Sequence, residues 1–190
     1  MERKTYFEKT VPIPNGVQIQ IEGSRVTVNG SRGSLTRDFS HSPIRIEKVD
    51  EGVKAYVHSP RKKVTAMVNT IAAHIENMIL GVTQGFTYIM KIVYAHFPIT
   101  VRVDKDKKQI RIENFIGERA PRHVGIFGDV NVSVDGDDVV IQGNNIEEVA
   151  QTAANIQART RIKDKDPRVF MDGIFIYRKL VGDETIWKIL

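Results

Sequence analysis

GNNIEEVAQTAANIQARTRIKDKDPRVFMDG, residues 143–173, begins with the signals of a helix and ends as a basic segment. Asn145 stands where an N-cap is needed, and Glu148 follows three residues on, the spacing of a capping box. Glu147 and Glu148 put negative charge in the first turn, where the helix dipole favours it. Ile146, Val149, Ala153 and Ile156 recur at spacings of three and four, one apolar stripe that faces a core. The small side chains of Ala153 and Ala154 would let this helix lie close against a sheet. After Ile156 come Arg159, Arg161, Lys163, Lys165 and Arg168, opposed only by Asp164 and Asp166. Pro167 is expected to stop the helix and to hold its predecessor extended. Cations in the last helical turn suit the dipole, and a solvated loop is the plain reading of the rest. These cations run past the helix end, however, so an anionic partner becomes the stronger reading once the whole chain is counted.

The same helix has a counterpart earlier in the chain. Slid by 84 residues, Pro14 meets Pro98, Val17 meets Val101, Ile19 meets Val103, Val26 meets Ile110, Val28 meets Ile112 and Gly33 meets Gly117. A slip of three then sets Val68, Ala72, Ala73 and Ile75 on Val149, Ala153, Ala154 and Ile156. Ten matches in order with one gap imply two copies of a unit of about 85 residues. The break is expected near Tyr94–Ala95, giving domains 1–94 and 95–190. In each copy the apolar residues alternate before the helix, so strands come first and the helix last. The first copy reads as strands at Val17–Ile21, Val26–Val28, Leu35–Phe39, Ile44–Ile46 and Val53–Val57. Ser59 would cap its helix, with Pro60 at the first position, and Gly81 would end it. A strand follows around Gly85–Val93. The second copy repeats the plan through Ile99–Val103, Ile110–Ile112, Val130–Val134 and Val139–Ile141, and closes on Ile174–Tyr177. The fold class expected is α+β: two tandem duplicated domains, each a small, mostly antiparallel sheet covered by one main helix.

The totals narrow the function. The chain has 190 residues, with 28 Lys and Arg against 23 Asp and Glu, a net charge of +5 and a pI near 9.4. A basic face is worth seeking at that value. Zero Cys excludes disulfides, thiolate zinc sites and thiol nucleophiles. No apolar run reaches membrane-spanning length, and the start, MERKTYFEKT, lacks the apolar core of a signal peptide. A protein of the cell interior, with no membrane partner, is expected.

Individual motifs read modestly. Gly30-Ser31-Arg32-Gly33 has the GxxG form of an RNA-backbone clamp, but strands rather than helices flank it. A glycine turn is favoured, from which Arg32 would reach a phosphate. Arg61, Lys62 and Lys63 open the first helix, where the dipole disfavours cations; they are either solvated or anion-bound. Asp135–Asp138 lacks the alternating ligands of a calcium loop and reads as a hairpin turn. The five His show no ligand spacing, and no phosphate loop or nucleophile elbow is present. No catalytic residue, metal or cofactor is expected. Basic segments at Arg32 and Arg37, Arg61–Lys63, Lys105–Lys108, Arg119–His123 and Arg159–Arg168 fall mostly in loops or at helix ends. That distribution suits phosphate and shape contacts to folded RNA. With few exposed aromatics, base stacking on single strands fits less well.

Several strings resemble one family. They are V-x-V-x-G-x-x-G-x-L in Val26–Leu35 with Arg37-Asp38-Phe39, Asn77-Met78-Ile79-x-Gly81-Val82-Thr83-x-Gly85-Phe86, and Val93-Tyr94-Ala95-His96-Phe97-Pro98-Ile99. The last runs from Gly143-Asn144 through Ala153-Ala154 to Asp172-Gly173-Ile174. Together they are similar to the universal L-six family of large-subunit ribosomal proteins, whose eukaryotic members are called L-nine, over about Val11 to Ile176. Phe-Met-Asp-Gly-Ile at 170–174 resembles the archaeal and eukaryotic branch. The resemblance implies two duplicated α/β domains and a structural, non-enzymatic role in the large subunit. It implies a place near the sarcin–ricin loop and the stalk base. The partners it implies are large-subunit rRNA, neighbouring ribosomal proteins and, nearby, translation GTPases. The location implied is the cytoplasmic ribosome, with nucleolar assembly if the source is eukaryotic. The family's main rRNA contact, in its second domain, maps onto Arg159, Arg161, Lys163, Lys165 and Arg168, then onto Arg119 and Arg122. Asn29, Ser31, Leu80 and Thr87 stand where relatives often carry other, mostly basic residues, so the first domain receives no firm contact. The tail 177–190 has no match. A free RNA-binding regulator and a small α+β enzyme working between the halves are the rival readings.

Overall fold

The computed structural model describes residues 6–50, 52–58, 61–166 and 168–189. The chain forms two compact units, Met1–Gln84 and Gly85–Leu190.

In the first unit six strands precede one helix: β1 (Tyr6–Pro12), β2 (Gln18–Glu22), β3 (Arg25–Gly30), β4 (Gly33–Asp38), β5 (Arg45–Val49), β6 (Gly52–His58) and α1 (Lys62–Thr83). They make two antiparallel three-stranded sheets, β1-β6-β5 and β2-β3-β4. Alternation turns Val26 and Val28 of β3, and Val53 and Ala55 of β6, into a single core. Val68, Ala72, Ile75 and Val82 of α1 are fully buried in it. Ser59 and Pro60, expected to cap and open this helix, lie outside the described residues; Arg61 occupies the N-cap position and makes no side-chain cap. Gly81 does not end the helix. It is buried inside it, and the chain turns at Gly85, whose φ of +78° a glycine adopts without strain.

The second unit runs β7 (Phe86–Val93), β8 (Thr100–Asp104), β9 (Gln109–Glu113), a 3-10 turn (Phe115–Gly117), β10 (Arg122–Gly125), β11 (Asn131–Asp135), β12 (Asp138–Gly143), α2 (Ile146–Arg159), β13 (Gly173–Val181) and β14 (Glu184–Lys188). Its sheets are β10-β9-β8 and β11-β12-β7-β13-β14, every pair antiparallel. Strand β7 is the middle of five, so the units divide after Gln84, ten residues before the break expected at Tyr94–Ala95. Phe86, Tyr88, Met90 and Ile92 alternate inward on β7, with the last three core neighbours supplied by Val139, Ile141 and Ile174. In the first unit β1 plays the corresponding part against β6. The structural repeat thus starts one strand earlier than the sequence repeat. On α2 the buried face is Val149, Thr152, Ala153 and Ile156, while Ile146 is half-buried and Ala154 exposed.

Candidate nucleic-acid interface

The basic loop 161–172 leaves α2 and returns into β13, and two buried polar side chains hold its ends. Thr160 is 2% exposed. Its hydroxyl donates back to the Ile156 carbonyl at 3.2 Å and accepts the Ile174 N–H at 3.2 Å, tying the helix end to the strand. Asp172 is 4% exposed, and its Oδ1 accepts the Ala95 N–H at 3.1 Å. Both groups are paired, as burial of a polar atom requires. The other end of α2 is fixed as firmly. The Asn145 side chain accepts the Glu147 N–H at 3.0 Å and its amide donates to Glu148 Oε1 at 3.1 Å. The second Glu148 oxygen accepts the Asp129 N–H at 2.9 Å, so the box closes through side chains and a neighbouring loop. A Cβ at Gly128 would fall 2.2 Å from that carboxylate. Glycine there leaves the carboxylate its place.

Between these anchors the cations stand outward. Arg159, Arg161, Lys163 and Lys165 are exposed and line a cavity of about 560 Å3, together with Arg122, Ile116, Glu118 and Asp164. Among the described residues Arg159, Arg161, Lys163 and Arg168 have no ion pair and no side-chain hydrogen bond. Asp166 forms no ion pair with them among the described residues; its carboxylate accepts the Arg168 N–H at 2.9 Å and shapes the turn. Lys165 Nζ lies 4.8 Å from the centre of the Phe170 ring. Pro167 lies outside the described residues.

Arg122 differs from the others. Its Nε donates to Glu118 Oε2 at 2.8 Å, its Nη2 to Oε1, and its Nη1 to the Arg159 carbonyl at 2.6 Å. The guanidinium also stacks 4.1 Å from the centre of the Phe115 ring. It serves as a clamp between β10 and the last carbonyls of α2, where a cation is favoured by the dipole. The Arg122 guanidinium holds the Glu118 carboxyl below its ordinary value of 4.5, with Arg159 adding to the effect. Glu118, Phe115 and Ile116 were not legible from spacing: Glu118 and Arg122 are four apart but not on a helix. Arg119 is exposed and unpaired among the described residues, yet neither it nor Arg168 lines the cavity.

The remaining predicted positions belong to the first unit. The Arg32 N–H donates to the Val82 carbonyl at 2.9 Å, which pins the β3–β4 turn to the C-terminal end of α1. The first glycine of the turn serves packing, since a Cβ on Gly30 would fall 2.6 Å from Val82 Cγ2. Arg61, Lys62 and Lys63 are exposed at the opposite end of the helix, roughly 30 Å away at 1.5 Å per residue. They do not form one site with Arg32. Asp138, at the expected hairpin turn between β11 and β12, pairs with Lys91 at 3.1 Å and accepts the Tyr177 hydroxyl at 3.1 Å. No group of acidic or His side chains among the described residues could hold a metal ion, and no helix is long and apolar enough to cross a membrane.

A family model described as Ribosomal protein L6 matches twice, over residues 13–85 and 97–173, once in each copy of the repeat. A large ribosomal subunit protein uL6 of Desulfurococcus amylolyticus is 49% identical over 182 residues, covering 94% of this chain and 98% of that protein. The uL6 of Ignicoccus hospitalis is 50% identical over 186 residues, covering 95% and 99%. That of Methanosphaera stadtmanae is 54% identical over 170 residues, covering 89% and 91%.

Proposed function

This chain belongs to the ribosomal protein L6 family, and on that premise we propose that it is a structural, non-catalytic constituent of the large ribosomal subunit that grips rRNA phosphates. One observation carries the reading. Five cations line one cavity of the second unit, and among the described residues only Arg122 is paired with a carboxylate, which leaves Arg159, Arg161, Lys163 and Lys165 without an ion pair. Phosphate oxygens are the ligands such a wall accepts, with folded RNA supplying several at fixed spacing. The contact set proposed is Arg159, Arg161, Lys163, Lys165 and Arg168, with Arg119 beside them. Arg122 holds the wall in shape. Arg32, Arg61, Lys62 and Lys63 form two further, separate phosphate contacts on the first unit.

The finer placement follows the family resemblance: near the sarcin–ricin loop and the stalk base, among other large-subunit proteins and close to where translation GTPases dock. The location proposed is the ribosome of the cytoplasm. The archaeal relatives lend nothing to a nucleolar stage.

Sedimentation tests the reading. After a high-salt wash the protein should migrate stoichiometrically with the large subunit; recovery only at the top of the gradient refutes it. Binding in vitro adds a number. If the five loop and helix-end cations neutralise about five phosphates, the slope of log affinity on log salt is near −4.5, or about 500-fold between 50 and 200 mM. Removing all five charges without changing affinity or slope would eliminate this surface as the contact.

A further inference from the structure

The basic residues 161–165 have two sides. One faces the cavity described above. The other borders a larger groove, about 1190 Å3, between the C-terminal turn of α2, the loop 161–172 and the first half of β13. Its lining is of another kind: Val93, Ile162, Phe170, Met171, Phe175 and Ile176 give it an apolar wall. Met171 is 62% exposed, Phe175 41% and Val93 38%. Clustered apolar exposure of this sort marks a surface for a protein partner, since a phosphate backbone has no use for it. The Phe175 ring has a prepared bed, for a Cβ on Gly173 would fall 2.6 Å from it.

The groove is closed against strand addition. β14 pairs with β13 only at Arg178–Val181. Along the half that β14 leaves uncovered, on the edge away from β7, Gln157 Oε1 accepts the Ile176 N–H at 3.3 Å and Thr160 Oγ1 accepts the Ile174 N–H. An occupant therefore meets side chains rather than a free strand edge. Their charge is mostly positive: Arg161, Lys163 and Lys165 line the groove against the single carboxylate of Asp172, which accepts the Ala95 N–H. Lys165 carries its cation directly over the Phe170 ring, onto the apolar wall.

We propose that this groove seats a segment of another large-subunit protein that carries apolar side chains beside aspartates or glutamates. Residues 161–165 then divide an RNA phosphate face from a protein face. Carboxylates complement the positive potential that Arg161, Lys163 and Lys165 put along the groove while their other side meets phosphate, and apolar side chains cover Met171, Phe175 and Val93, which rRNA would leave wet. The proposal rests on the large-subunit role argued above.

The test uses the whole protein in assembled subunits. Met171 and, separately, Phe175 are replaced by the photo-crosslinking residue p-benzoyl-phenylalanine; both are exposed, so the probe needs no repacking. Large subunits are isolated after a high-salt wash and irradiated, with the same probe at exposed Ile186 as control. A docked segment is held at millimolar effective concentration, so a protein adduct roughly tenfold above the Ile186 yield is expected. The crosslinked peptide should contain both acidic and apolar residues. Adducts confined to rRNA, peptides without acidic residues, yields equal to the control, or no adduct from either position overturn the groove proposal and leave the large-subunit role standing. A protein that never enters the subunit removes that role, and this proposal with it.

Discussion

Arg122 and Lys163 carry the same charge and line the same cavity, but their partners give them different parts. Arg122 spends three donors inside the protein, on Glu118 and the Arg159 carbonyl, and stacks on Phe115. Arg122→Gln is expected to cost about 2 kcal/mol of stability through the lost charged hydrogen bonds. The salt slope of RNA binding should stay nearly unchanged. Lys163→Ala should leave stability within about 0.5 kcal/mol and flatten the slope by about 0.9. Urea titrations and salt-titrated affinities on both variants read the difference; equal slopes would return Arg122 to the phosphate contacts. Its partner adds a pH test. Glu118 is held below its ordinary value of 4.5 in the folded state. Its contribution is therefore complete above that value and disappears as pH falls through the depressed one. The stability gap between wild type and Glu118→Gln should be widest at neutral pH and close on acidification. A gap that persists unchanged to about pH 3 would mean the clamp is not ionic.

At the scale of elements, packing explains the first glycine of the GxxG turn. Gly30→Ala would drive a methyl into Val82, at 2.6 Å from Cγ2 and 2.7 Å from the carbonyl oxygen. Overpacking of that kind costs about 1–3 kcal/mol, so a matching fall in the first unit's urea midpoint is expected; no fall would show that the turn yields freely. The stripes of α1 and α2 and the strands before them, except β1 and β10, were legible, because one buried face imposes a period on the sequence. Alternation reveals which face is buried and says nothing of which strand is the neighbour. Phe86, Tyr88, Met90 and Ile92 fit either unit equally well, and only the observed pairing assigns them. The hairpin β13–β14 hid for another reason. Register shifts beside Tyr177 and beside Ile186 break the period of two where a strand signal would be sought. At the site, the surplus of cations was legible in composition. Which of them an internal carboxylate and a helix carbonyl engage was not, since that depends on loops meeting across the fold.

The whole molecule turns on where one strand belongs. The repeat in sequence places Phe86–Val93 at the end of the first copy, whereas the sheet uses it as the central strand of the second unit. Two cuts separate these views. A fragment 1–84 keeps both sheets of the first unit and α1, and a fragment 85–190 keeps all five strands of the large sheet. Each is expected to unfold cooperatively in urea. Cutting at 94 instead removes β7 from between β12 and β13, splitting that sheet and stripping Met90 and Ile92 from the core. The loss of two such side chains alone is worth about 4 kcal/mol, a large share of a small domain's stability. Fragment 95–190 should therefore show no cooperative transition. Fragment 1–94 gains an apolar strand with no partner, and unpaired strands of that composition associate. It should elute as oligomers where 1–84 elutes as a monomer. Cooperative unfolding of 95–190 with a monomeric 1–94 would instead give the strand to the first copy, as its sequence position suggests.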